Sequence, residues 1–214
     1  MTRVGGSGNA VSYEGTIGVL FSSSTYKIGY VTNPSSATYT NDTKILAGLK
    51  ADPNFTVSEV NSGIRGNNFD NYDLVIFSEV AGSEDPGVLE LKGLNKPFIM
   101  MKVHSYKNAS AAWSWANTES AYNQSATETH LVVNDKSHPI FSGVNWINDN
   151  QVQILSGVSG LKGLTYMDPT QFKNLSGGQI TSLATVGGQA SQASILEIPV
   201  GTTIAGVPIN YKFI

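Results

Sequence analysis

The chain has no cysteine among its 214 residues. That absence excludes disulfides, thiolate–zinc centres and cysteine nucleophiles, so the fold must stand on its hydrophobic core. Charge is scarce as well. Asp, Glu, Lys and Arg make up 14% of the chain, against about 25% in an average soluble protein. The formal net charge is -3 and there is no basic run, which argues against an electrostatic nucleic-acid binder. No apolar run approaches the roughly 18 residues of a membrane span. Neither common glycine-rich phosphate loop follows a strand, and Gly5, Gly6 and Gly8 cluster with no strand before them. A nucleotide is therefore not expected, and no cofactor is assigned.

What is present suits a globular domain. Hydrophobic residues form 40% of the chain, enough for a core in a protein of this length. Ser, Thr and Asn supply roughly a quarter of it. A surface of hydroxyls and amides in place of charges is commoner in exported proteins, so an extracellular or periplasmic setting is expected. The first residues carry one positive charge but no apolar stretch of the kind a signal peptide needs, so any leader would already be absent. Residues 1–15 read as a flexible lead-in.

From residue 16 the pattern alternates. Short apolar runs at 16–21, 27–32, 55–60, 72–78, 97–103 and 130–133 read as strands. Residues 41–50 read as a helix, with Thr40 or Asp42 as its N-cap and Ile45, Leu46 and Leu49 on one face. A shorter helix is expected over 86–93, with Pro86 at its start. A third is expected over 109–121, carrying Trp113 and Trp115. Strands alternating with helices predict an α/β fold with a mostly parallel sheet over residues 16–144. Residues 145–214 are richer in Gly, Ser, Thr and Gln. They read as a β-rich extension at one edge of that sheet.

In an open parallel sheet, ligands bind beyond the carboxyl ends of the strands. The turns expected there carry Asn33, then Ser78 and Glu79 with Glu84 and Asp85, then His104 and Ser105. Asn33, Ser78, Ser105 and Trp113 are candidate ligand-binding residues: hydroxyls, an amide and an indole face suit a polyhydroxy ligand. His104 and Glu79 are the candidate acid–base pair. The plainer alternative makes His104 a half-buried imidazole bonded to backbone, and the loop acids a charge bias ahead of a helix start. Ser105 lies in no nucleophile elbow, and adjacency to His104 does not make a nucleophile–base pair. The three histidines, His104, His130 and His138, have no metal-ligand spacing. Trp113 and Trp115, two apart on a helix, would not share a face, so at least one belongs to the core. Five Asn-x-Ser/Thr sequons, at Asn41, Asn54, Asn108, Asn123 and Asn174, are no more than this composition yields by chance.

Two segments carry a family resemblance. One is the strand ending Val103-His104-Ser105, with Trp113 beyond it. The other is the turn His138-Pro139-Ile140-Phe141-Ser142-Gly143. Together they resemble the trehalose-utilisation (ThuA-like) family over residues 27–144. The resemblance implies a flavodoxin-like three-layer fold of about five parallel strands, as in class I glutamine amidotransferases, and a link to carbohydrate metabolism in larger bacterial proteins. In the amidotransferase relatives a nucleophilic cysteine stands where this chain has His104-Ser105, so that reaction is not available here. The expectation is a carbohydrate-related binding or assembly module, possible partner domains included. The alternative is a carbohydrate-active enzyme working through His104 and Glu79.

Overall fold

The computed structural model describes residues 25–118, 123–125, 127–155, 164–211 and 214. The strand expected at 16–21 lies outside these residues. The fold is mixed α/β with few helices. It begins with β1 (Tyr26–Thr32), α1 (Thr40–Ala51), β2 (Phe55–Asn61), β3 (Leu74–Phe77), α2 (Pro86–Glu90) and β4 (Phe98–Met100). The four strands form a parallel sheet in the order β2-β1-β3-β4. The strand order reverses at β1, which lies between β2 and β3.

The two faces of this sheet follow from the period-2 alternation of strand side chains. Ile28 and Tyr30 of β1 and Ile76 of β3 pack with Leu46 of α1. Val31, Val75 and Phe77 point the other way, into an aromatic core with Phe98, Trp113 and Trp115. Burial on both faces explains why these runs read as nearly continuous apolar sequence. Gly29 is required by a close approach: a Cβ there would sit 2.7 Å from the Tyr72 ring.

The helix expected at 109–121 is not formed in its described part. Residues 109–118 run as turns and irregular chain, and Ser114 takes φ 57°, which no helix interior tolerates. The chain instead bonds to its neighbours, Trp113 N–H to the Ser105 carbonyl at 2.9 Å and Ala116 N–H to that of Tyr106 at 2.7 Å. The irregular path brings both indoles inward, their centroids 4.8 Å apart. Two residues apart on a helix would have pointed in divergent directions. Both are buried, and Trp113 Nε1 donates to the Val88 carbonyl at 2.8 Å.

The second half departs further from expectation. β5 (Asn123–Gln124), β6 (His130–Val133), β7 (Gln151–Gln153), β8 (Thr165–Tyr166), β9 (Thr181–Val186), β10 (Ala193–Glu197), β11 (Thr203–Ile204) and β12 (Val207–Pro208) follow. β6 does not join the parallel sheet. It lies between β9 and β7, antiparallel to both, in a second sheet ordered β10-β9-β6-β7. β7, β9 and β10 of the β-rich segment are therefore not an edge of the first sheet: with β6 they form a sheet over Leu131, Val133, Leu183 and Val186, while Met167, Phe172, Ile198 and Ile204 of the same segment join the first core. The alternating burial of β6, Leu131 and Val133 buried with His130 and Val132 half-buried, is the mark of an antiparallel strand with one wet face. Ile214 pairs with the outer edge of β4: its N–H bonds the Phe98 carbonyl at 3.0 Å and its carbonyl accepts from Met100 N–H at 2.7 Å.

Trp113→Ala removes a fully buried ring and the donor to Val88. A loss of about 3–5 kcal/mol in urea-unfolding free energy is expected; a loss under about 1 kcal/mol would remove this ring from the core account.

Candidate functional site

Because β1, β3 and β4 are parallel neighbours, the turns after them lie at one end of the sheet. Thr32-Asn33, Ser78-Glu79 and the 3₁₀ turn Val103–Tyr106 that holds His104 all emerge there. Two ion pairs tie the turns after β3 and β4 together. Lys102 Nζ donates to the Glu79 carbonyl at 2.6 Å and to its carboxylate at 3.1 Å, and Lys107 pairs with Glu84.

At the centre is a residue that sequence reading took only as a possible N-cap. Asp42, in the first turn of α1, is 2% exposed. The N-cap position belongs to Tyr39, with no side-chain cap bond. The Asp42 carboxylate accepts from Tyr30 Oη at 3.0 Å, from Thr32 Oγ1, and from Ser78 Oγ at 2.6 and 2.7 Å. The three hydroxyls share a face because residues 30 and 32 of β1 and 78 after β3 are in period-2 phase. Burial, with the carboxylate beside it, pushes the Tyr30 phenol well above its usual range, so it stays a donor. Ile45, expected on the buried face of α1, is 43% exposed; Asp42 and Leu46 are the buried residues of that helix.

A second acid, Asp85, collects Ser62 Oγ, the Gly82 N–H at 2.9 Å and Asn33 Nδ2 at 3.3 Å. Asn33 Oδ1 accepts from Ser35 N–H at 3.0 Å. Ser78 Oγ also accepts from Val80 N–H at 2.9 Å, which completes its bonding. Thus these hydrogen bonds of Asn33 and Ser78 all run within the rim. Ser105 is fully buried, and its Oγ has no partner. Trp113 is fully buried and presents no exposed face.

Glu79 and His104 differ from these. Glu79 has much of its side chain in solvent, yet local burial pushes its carboxyl above the ordinary value against the pull of Lys102. His104 is half-buried; burial first, then Lys102 and Lys107, holds its imidazole below the ordinary value. Glu79 also stands on the wall of a cavity of about 350 Å³ between the two sheets. From the first sheet come Met100, Met101 and Val103; from the second segment come Met167, Leu196 and Ile198. Every methionine after Met1 lines it. The composition gave no spacing signal for this seam, since its two walls are about sixty to one hundred residues apart in sequence.

Among the described residues, no group of three or more His, Asp or Glu side chains converges as a metal site, and no helix is long and apolar enough to cross a membrane. Comparison with protein-family models, curated proteins and solved structures finds no match.

His104 supplies a test. The unfolded imidazole binds a proton at an ordinary value of 6.5, and the folded one resists it. The unfolded chain therefore carries more protons as pH falls below that value, and stability rises with pH up to it. Glu79 contributes with the opposite sign in the adjacent acidic range, but equally in both proteins compared. Urea midpoints from about pH 5 to about pH 8 are expected to show His104→Asn gaining on the wild type at the acid end, with the gap constant above the imidazole's range. A gap that widens as pH rises would contradict this.

Proposed function

We propose that the chain is a non-catalytic small-molecule binding domain of flavodoxin-like, trehalose-utilisation type, its ligand seated in the cavity beyond β3 and β4. The single observation behind this reading is a division of labour at the rim. Asn33, Ser78, Asp42 and Asp85 satisfy one another, while the open volume lies at the seam and is walled mainly by apolar side chains with a few polar groups. Pockets of that make-up are the usual places for small ligands. The strand order with its reversal at β1, and the turns gathered at one end, support the flavodoxin-like assignment. Export, and service as one module of a larger bacterial protein, belong to the same proposal and rest on composition and the family resemblance.

A second reading, a carbohydrate-active enzyme using Glu79 and His104, has one observation in its favour. The surroundings raise the Glu79 carboxyl, which moves it toward the range in which general acids and bases work.

A thermal-shift screen that includes mono- and disaccharides tests both. A true ligand at about 100 Kd raises Tm by about 5–10 °C. The shift is expected to vanish in Leu196→Trp, which fills the cavity, and to persist in Asn33→Ala. A shift that survives Leu196→Trp would overturn the cavity as the site. Turnover of a hit, lost in both His104→Ala and Glu79→Gln, would replace the binding reading with the enzyme.

A further inference from the structure

The cavity also constrains the chemistry of what fills it, given the binding reading above. We infer that its ligand is an uncharged, largely apolar ring compound bearing a hydrogen-bond donor, and that the cavity refuses ions.

Three observations carry this. The first is the wall. Met100, Met101 and Met167 meet Leu196, Ile198 and Val103 around a space of about 350 Å³, at the small end of the roughly 300–1,000 Å³ typical of ligand pockets. Thioether side chains are unbranched and polarizable. They adapt to flat rings and favour sulfur–aromatic contacts.

The second is the charge balance. Among the described residues, Glu79 is the only Asp, Glu, Lys, Arg or His on the wall, and Lys102 already pairs with it. A cationic ligand would meet a carboxylate whose charge the Lys102 ammonium already offsets. An anion would face that carboxylate with no Lys, Arg or His among the described residues of the wall. Either ion would be desolvated without an uncompensated counter-charge to meet it, a cost that an apolar wall cannot return. The Glu79 carboxylate has lone pairs beyond those Lys102 uses, so it can accept from a neutral O–H or N–H.

The third concerns the remaining polar side chains of the wall, which are few: Thr165, Ser194 and the phenols of Tyr106 and Tyr166. Ser194 Oγ donates to the Thr165 carbonyl at 2.8 Å, so that hydroxyl is spent as a donor. A sugar, with many hydroxyls to satisfy, would leave most of them against methionine and isoleucine.

A matched pair of fluorescent probes tests the inference on the full chain. N-phenyl-1-naphthylamine is neutral and has one N–H; 1-anilinonaphthalene-8-sulfonate is nearly the same ring system with a negative charge. The neutral probe is expected to bind saturably, about ten-fold or more tighter than the sulfonate. Its binding should be lost in Leu196→Trp and, on the opposite wall, in Met100→Trp. Glu79→Gln removes the carboxylate and leaves the Lys102 ammonium at the mouth, so the sulfonate should gain on the neutral probe. Equal affinity for the two probes, or a sulfonate preference, overturns the ligand class. If instead a saccharide or ion from the screen binds and is lost in the filled variants, the cavity stands as the site and the ligand class falls. Neutral-probe binding that persists in both filled variants removes the cavity itself, and the binding reading with it.

Discussion

Asp42 is a carboxylate held almost out of water, and three hydroxyls from two strands donate to it. A charge in such a place is expensive unless its lone pairs are filled. Tyr30, Thr32 and Ser78 fill them, and in doing so fix where α1 meets β1 and β3. The same interaction sets the height at which the turns after those strands leave the sheet. Asp85 then repeats the device one layer out, gathering Asn33, Ser62 and the Gly82 amide. The rim is built from the inside, by acids whose partners are already in place, and its polarity is internal wiring.

That wiring explains why the open space lies elsewhere. The first sheet ends at β4, and the second segment of the chain packs beside it through Met167, Ile198 and Ile204 in the shared aromatic core. Two sheets of different strand geometry do not nest closely along a whole edge. The residual gap lies between β4 and β10, where flexible methionines take up the mismatch. Lys102, in the turn after β4, bonds Glu79, in the turn after β3, and Glu79 stands on the wall of this gap. The one charged side chain among the described wall residues is thus also a tie between two turns of the fold.

Much of the first sheet was legible in the sequence because its strands are buried on both faces and bounded by Pro, Gly and Asn. The segments read at 72–78 and 97–103 hold the strands found, and those read at 27–32 and 55–60 miss theirs by one residue at one end. The polar turns gathered at one end followed from that sheet and were legible with it. Asp42 was harder. Its position near the start of a helix looked like a cap, and only the phase of residues 30, 32 and 78 shows why it is drawn inward. Trp113 and Trp115 misled because propensity favoured a helix over 109–121, while burial of both rings demanded a path that a helix does not offer. β6 misled for a different reason: a four-residue apolar run carries no information about which sheet it joins. The cavity was not legible at all, since its walls come from segments far apart in the chain.

The account turns on the hydroxyls of Tyr30 and Ser78 acting on one shared carboxylate. A double-mutant cycle of Tyr30→Phe and Ser78→Ala, read by urea unfolding, measures that coupling directly. Groups in one hydrogen-bond network are expected to interact by about 0.5–3 kcal/mol. If the two losses add to within about 0.3 kcal/mol, the two hydroxyls act independently and the buried carboxylate is not the point on which the rim is hung.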